Sequence, residues 1–180
     1  MRKDNKGYSL LEMIVVLAIL AIFVVSAISG LGYIFGSAVR SCANDVKSAV
    51  GATRINTMGR YETVLNLYQG SDGIYKQEWY KEVNPTDGSE TWYSDSPYKI
   101  GKSYVTLSYT TKDGTVGTVD AGGIWIGFDR SSGKERDVDL VHALPPGKTG
   151  VADIFSKITA DGAVTVDVTI VPATGKIYME

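Results

Sequence analysis

Glu12 is a carboxylate in a setting that demands a partner. It stands at the front of an apolar run, Leu10 to Ile28, interrupted otherwise only by Ser26. A charged side chain at the centre of a membrane helix costs roughly 2.5–3.5 kcal/mol, less near the interface. Buried without a counter-charge inside a helix bundle, it would cost several kcal/mol. The other ionisable candidates lead to blander chemistry. His142 is the only histidine, within Val141-His-Ala-Leu-Pro-Pro146, and no serine or cysteine phrase marks a nucleophile. Neither zinc-ligand spacing nor a phosphate-binding glycine loop occurs. No enzymatic activity, catalytic residue, metal or cofactor is therefore expected. Asp72, Asp87, Asp113, Asp129 and Asp161 sit in turn sequences beside or near glycine, where turn chemistry explains an aspartate without calcium. Asp129, with the serines that follow it, is the position a calcium ion would take.

The elements that must position Glu12 divide the chain in two. Its 180 residues allow a modest globular domain plus an appendage. No charged residue occurs from Met13 to Val39, whereas the rest is polar, glycine-rich and aromatic. A net charge of −2 argues against nucleic acid as a partner, since that requires a basic surface. Cys42 stands alone, so no intrachain disulfide forms, and a small residue packing a helix is its expected role. Arg2, Lys3 and Lys6 precede the apolar run with only Asp4 opposing them. This places the N-terminus in the cytoplasm and the large domain outside a single-pass cell-membrane helix. By residues alone, three readings of the segment stay open. It is a secretory signal cut near Ser26 and Ala27, or an uncleaved anchor for an extracytoplasmic binding module, or a short processed leader. Glu12 separates them, because it weakens a signal sequence and adds nothing to a plain anchor.

The phrase Lys6-Gly7-Tyr8-Ser9-Leu10-Leu11-Glu12-Met13 resembles the cleavage and methylation motif of the type IV prepilin and pseudopilin family. Tyr8 and Ser9 stand where that family usually has phenylalanine and threonine, and both keep the chemical character. The resemblance implies that prepilin peptidase cuts between Gly7 and Tyr8, and that the new Tyr8 amine is methylated. It implies that Glu12, the fifth mature residue, meets the Tyr8 amine of a neighbouring subunit and sets the axial register. The chemistry is coherent. Gly7 has no Cβ to hinder approach to its carbonyl. An amine at a helix N-terminus opposes the helix dipole, and a carboxylate four residues on, about 6 Å along the axis, offsets it.

The family likeness implies an α+β, pilin-like fold. Residues 1–7 are a cleaved leader and 8–36 a transmembrane and assembly helix. Residues 37–180 form a soluble domain with an amphipathic helix over 37–58 and an antiparallel sheet over 60–180. The implied function is a structural, minor subunit of a type IV pilus or of a type II secretion or competence pseudopilus. Its partners would be other pilin or pseudopilin subunits, prepilin peptidase, an inner-membrane assembly platform, and the membrane through one helix. It would pass from the membrane into an extracytoplasmic filament. Arg54–Arg60, the Phe128–Gly133 turn and Thr174-Gly-Lys-Ile177 resemble, more loosely, the minor pseudopilins of type II secretion.

Periodicity supplies the rest. Val39, Cys42, Val46, Ala49 or Val50, and Thr53 recur at helical spacing, with Gly59 as the stop. Gly32 and Gly36 form a small-xxx-small pair suited to close helix packing. Strands are expected at 61–68 and 73–79, joined across Gly70–Gly73, then at 104–109, 123–128, 137–141, 163–171 and 176–179. The 81–99 segment reads as a polar insertion whose Trp92, Tyr93 and Tyr98 either make a contact surface or, the reading preferred, fold back over a sheet edge.

Overall fold

A computed structural model describes residues 9–59, 61–136 and 144–180, leaving aside the side chains of 27–31. The leader 1–7, Gly7, Tyr8, His142 and the strand expected at 137–141 lie outside the described residues. One helix, α1 (Leu10–Gly59), is followed by strands β1 (Glu62–Gln69), β2 (Gly73–Val83), β3 (Glu90–Ser94) and β4 (Tyr98–Lys102). Then come β5 (Thr106–Thr111), β6 (Val116–Thr118), β7 (Ile124–Phe128), β8 (Glu135–Arg136) and β9 (Val151–Ala152), and finally β10 (Phe155–Asp161), β11 (Thr165–Val171) and β12 (Lys176–Met179).

The α+β class holds, but the single expected sheet is two. One has the order β3-β2-β1-β7-β8, with β4 also on β2 and β9 on β7; the other runs β12-β11-β10-β5-β6. All pairings are antiparallel except β7 with β9. The inner faces of both sheets close on α1. Val39, Cys42, Ala43, Val46, Ala49 and Val50 join Leu65, Leu67, Ile126, Ile158, Val168 and Ile170 in one core. The stripe legible in the sequence is therefore the buried one, and Cys42 packs the helix as expected. Burial, with Asp45 nearby, pushes its thiol up to about 12, so it is neutral and unreactive. The 81–99 insertion is not a free loop. It supplies β3 and β4, both paired to the long β2, and Tyr93 stacks on Tyr80 at 5.9 Å.

Polar ties fix the end of α1 to both sheets. The Thr53 hydroxyl shares its one proton between the Ala49 carbonyl and Glu78, and Asn56 donates to the same carboxylate. Arg54 reaches two turns at once, through Nε to the Gly133 carbonyl at 2.9 Å and Nη2 to the Thr174 carbonyl at 3.1 Å. Gly175 has φ of +63°, and a Cβ there would sit 2.1 Å from the Gly133 carbonyl oxygen, so the two turns press together only because it is glycine. Arg54→Ala should lower stability by about 2 kcal/mol, since two charge-assisted hydrogen bonds go and two turn carbonyls lose their donor. Urea unfolding of the full chain in detergent reads this; an unchanged midpoint would mean that the clasp carries no stability.

Candidate assembly site

The first turn of α1 is built by Ser9 and Glu12. The Glu12 amide donates to Ser9 Oγ at 3.3 Å and the Met13 amide to the Ser9 carbonyl at 3.1 Å. Ser9 is thus the N-cap and Glu12 the third helical residue, the Ser-x-x-Glu arrangement of a capping box. Sequence reasoning passed over this signature, although its spacing is plain in Ser9-Leu-Leu-Glu12. The Glu12 side chain is exposed and has no ion pair among the described residues. Its negative charge in the first helical turn suits the dipole. Glu12 lies about 35 Å of helix ahead of Phe35.

Between this cap and the domain, the described side chains of α1 are largely exposed. Leu10, Leu11, Ile22, Phe23 and Val25 are each more than 60% exposed, an apolar surface that water alone does not leave uncovered. The domain takes hold at Phe35, whose ring meets Tyr104 edge-on at 4.9 Å. Gly36 is buried, with its Cβ direction 3.4 Å from Val164 of the β10–β11 turn. Gly32 meets nothing within 4 Å, so the two glycines face different surroundings: one is under its own domain, the other open. The described apolar side chains run from Leu10 to Ser26, seventeen residues or about 25 Å of helix. Among the described residues, no helix is long and apolar enough to cross a membrane.

The turn aspartates show what each one does. Asp129 Oδ1 accepts from the amides and hydroxyls of both Ser131 and Ser132 at 2.6–3.1 Å. Those donors, the two serine hydroxyls foremost, hold its carboxyl down at about 2. Turn closure accounts for this oxygen, as the sequence indicated. Asp87 caps the Ser89 amide, and Asp72 takes Tyr75 Oη and Lys99 Nζ.

Residues 2–28 match the family model described as the prokaryotic N-terminal methylation motif. The chain thus carries the prepilin-type cleavage and methylation signal, and the motif supports a pilin-like substrate of prepilin peptidase. Pilin-like proteins that carry this motif are structural rather than enzymatic. No curated protein and no solved structure matches the chain.

Proposed function

We propose that this protein is a minor structural subunit of a type IV pilus or of a secretion or competence pseudopilus. The observation that carries the reading is the methylation motif at the head of a helix whose described apolar side chains, from Leu10 on, are exposed. Such a surface requires lipid before assembly and other helices after it. The sequence continues uncharged through Ala27-Ile-Ser-Gly-Leu31, extending the apolar run to about 33 Å of helix, enough for a hydrocarbon core of about 30 Å. Prepilin peptidase cuts between Gly7 and Tyr8, and Tyr8 is methylated. An assembly platform then draws the subunit into the filament, with the domain outside the cytoplasm.

Within the filament Glu12 meets the Tyr8 amine of a neighbour. Its exposure, about 35 Å of helix ahead of the domain, supports that role, because neighbouring rods can reach it there. Gly32, open on its Cβ side, lets a neighbouring helix approach closely, whereas Gly36 is already packed against Val164 of its own domain.

Intact-mass and N-terminal peptide analysis of the membrane-bound protein, from cells expressing prepilin peptidase, tests this. The expected terminus is Tyr8 carrying one methyl, and a bulky residue at Gly7 should leave uncleaved precursor. A terminus at Met1 or Arg2 would instead mean an anchored extracytoplasmic binding module, and one near Ala27 an exported domain.

A further inference from the structure

The three tryptophans converge on the face of the first sheet that points away from α1. Trp125 packs with Val64 and Leu144, and Trp79 and Trp92 pack against them. Lys148 lies over the Trp79 ring at 5.0 Å, and Trp125 Nε1 donates to the Thr149 carbonyl. The strap 144–150 therefore roofs part of this face. One row further along the strands it does not close. Register places Gln77, Asn66 and Trp125 side by side on β2, β1 and β7. A cavity of about 360 Å³ stands above that row, walled by Tyr68, Lys148 and Thr149.

The row is polar where a sheet face roofed by a strap is ordinarily apolar. Asn66 is only 5% exposed. Its Nδ2 is spent on the Gly122 and Ile124 carbonyls, and Gln77 Nε2 is spent on the Asp95 carbonyl. Both amide oxygens accept nothing among the described residues. Cross-strand neighbours have Cβ atoms about 5 Å apart, so the two side chains flank one another on the wall of one cavity. Neither oxygen is sealed from solvent, so both remain open to accept from whatever fills the cavity. The floor is shaped by close backbone: a Cβ on Gly150 would meet Trp125 Nε1 at 2.6 Å, and one on Gly123 would meet Asn66 Nδ2 at 2.9 Å.

We propose that this cavity binds a neutral glycosyl unit. Adjacent hydroxyls on a sugar ring would donate to the Asn66 and Gln77 carbonyl oxygens. Lys148 and Tyr68 would donate to ring or hydroxyl oxygens, and the indole of Trp125 would border the ring's C–H surface. The volume lies in the range of small-ligand sites. Lys148 is the charged lining group, and the Trp79 ring beneath it already shares its charge. The Asn66 and Gln77 oxygens offer only lone pairs, which accept from hydroxyls and repel an anion, so neutral oxygen-rich ligands are favoured. The site lies on the far side of the sheet from the helix, so it does not depend on whether the rod is processed or assembled.

The test titrates the full chain in nanodiscs with glucose, galactose, N-acetylglucosamine and their β-linked disaccharides, followed by tryptophan fluorescence and saturation-transfer NMR. Glucuronate and inorganic phosphate serve as anionic probes. At least one neutral saccharide should bind at millimolar concentration or below. Gln77→Leu, at a half-buried position, should weaken it roughly ten-fold, the equivalent of a hydrogen bond, without altering the circular dichroism. Lys148→Ala provides a second variant should Gln77→Leu misfold, and should weaken the same saccharide. Binding of no saccharide, binding indifferent to these substitutions, or binding of the anionic probes alone would each overturn the assignment.

Discussion

Glu12→Gln should leave the subunit in the membrane and abolish its assembly. Glutamine at the third helical position still serves a capping box, so the start of α1, with Ser9 holding the Glu12 amide at 3.3 Å, survives the change. What disappears is the charge. In a filament core the neighbour's methylated Tyr8 amine would then be buried with no counter-ion, and breaking one partner of a buried pair costs about 3–5 kcal/mol. Applied to each added subunit, that is at least a hundred-fold in the equilibrium constant for elongation. Sheared-filament blots beside membrane-fraction blots read both halves of the expectation. Glu12→Asp, which keeps the charge on a shorter arm, should assemble partially. Glu12→Gln filaments at normal yield would rule out the ion pair and leave the cap as the only role for Glu12.

The sequence disclosed the parts of the fold governed by local rules. The helix from 37 to 58 was legible because Val39, Cys42, Val46, Ala49 and Thr53 keep one period and are all buried. The β1–β2 hairpin was legible because Gly70 and Gly73 bracket a turn closed by a 2.8 Å hydrogen bond. What escaped depends on tertiary partners. β10 was missed because its register slips between Phe155 and Lys157: the buried Phe155 and Ile158 stand three apart, and the two-residue alternation breaks. β3 and β4 were missed because their own residues are polar and turn-like, and the eleven-residue β2 holds both in place. The division into two sheets was likewise invisible, since it follows from how both inner faces wrap one helix. Arg54, Gly133 and Gly175 were noticed as separate phrases, yet only the fold brings them together. The N-terminal motif stood out because it is one continuous phrase, Lys6 to Met13, recognisable without the fold. The cavity over Asn66 did not, because cross-strand register alone makes a pair of Asn66 and Gln77.

Stability of the full chain in detergent should fall as pH rises from about 4.5 to about 8, and Glu135→Gln should remove most of that fall. Glu135 is 6% exposed, at the seam where the first sheet meets the second. Its amide donates to the Pro172 carbonyl at 3.1 Å, and its Oε1 accepts from the Phe155 amide at 2.7 Å. Oε2 is buried with no partner among the described residues. Arg136, next in sequence, is turned to Glu62 at 2.6 Å. Burial pushes the Glu135 carboxyl up from near 4.5 to about 8; the Phe155 amide works against this and Asp153 adds to it. The unfolded chain releases this proton near 4.5, while the folded chain keeps it to about 8. Between those values the folded state binds one more proton, so each pH unit removes up to about 1.4 kcal/mol, and the loss levels off above the window. Glutamine keeps the acceptor for Phe155 and never ionises. The two proteins should therefore melt at similar temperatures near pH 4.5 and diverge steadily up to pH 8, with the glutamine variant the more stable. Glu135→Leu separates charge from hydrogen bonding, since it removes the ionisation and also leaves the Phe155 amide unmet, at roughly 1–3 kcal/mol. Parallel melting profiles for wild type and Glu135→Gln across that window would show that the carboxyl is solvated and ordinary, and that the seam carries no buried acid.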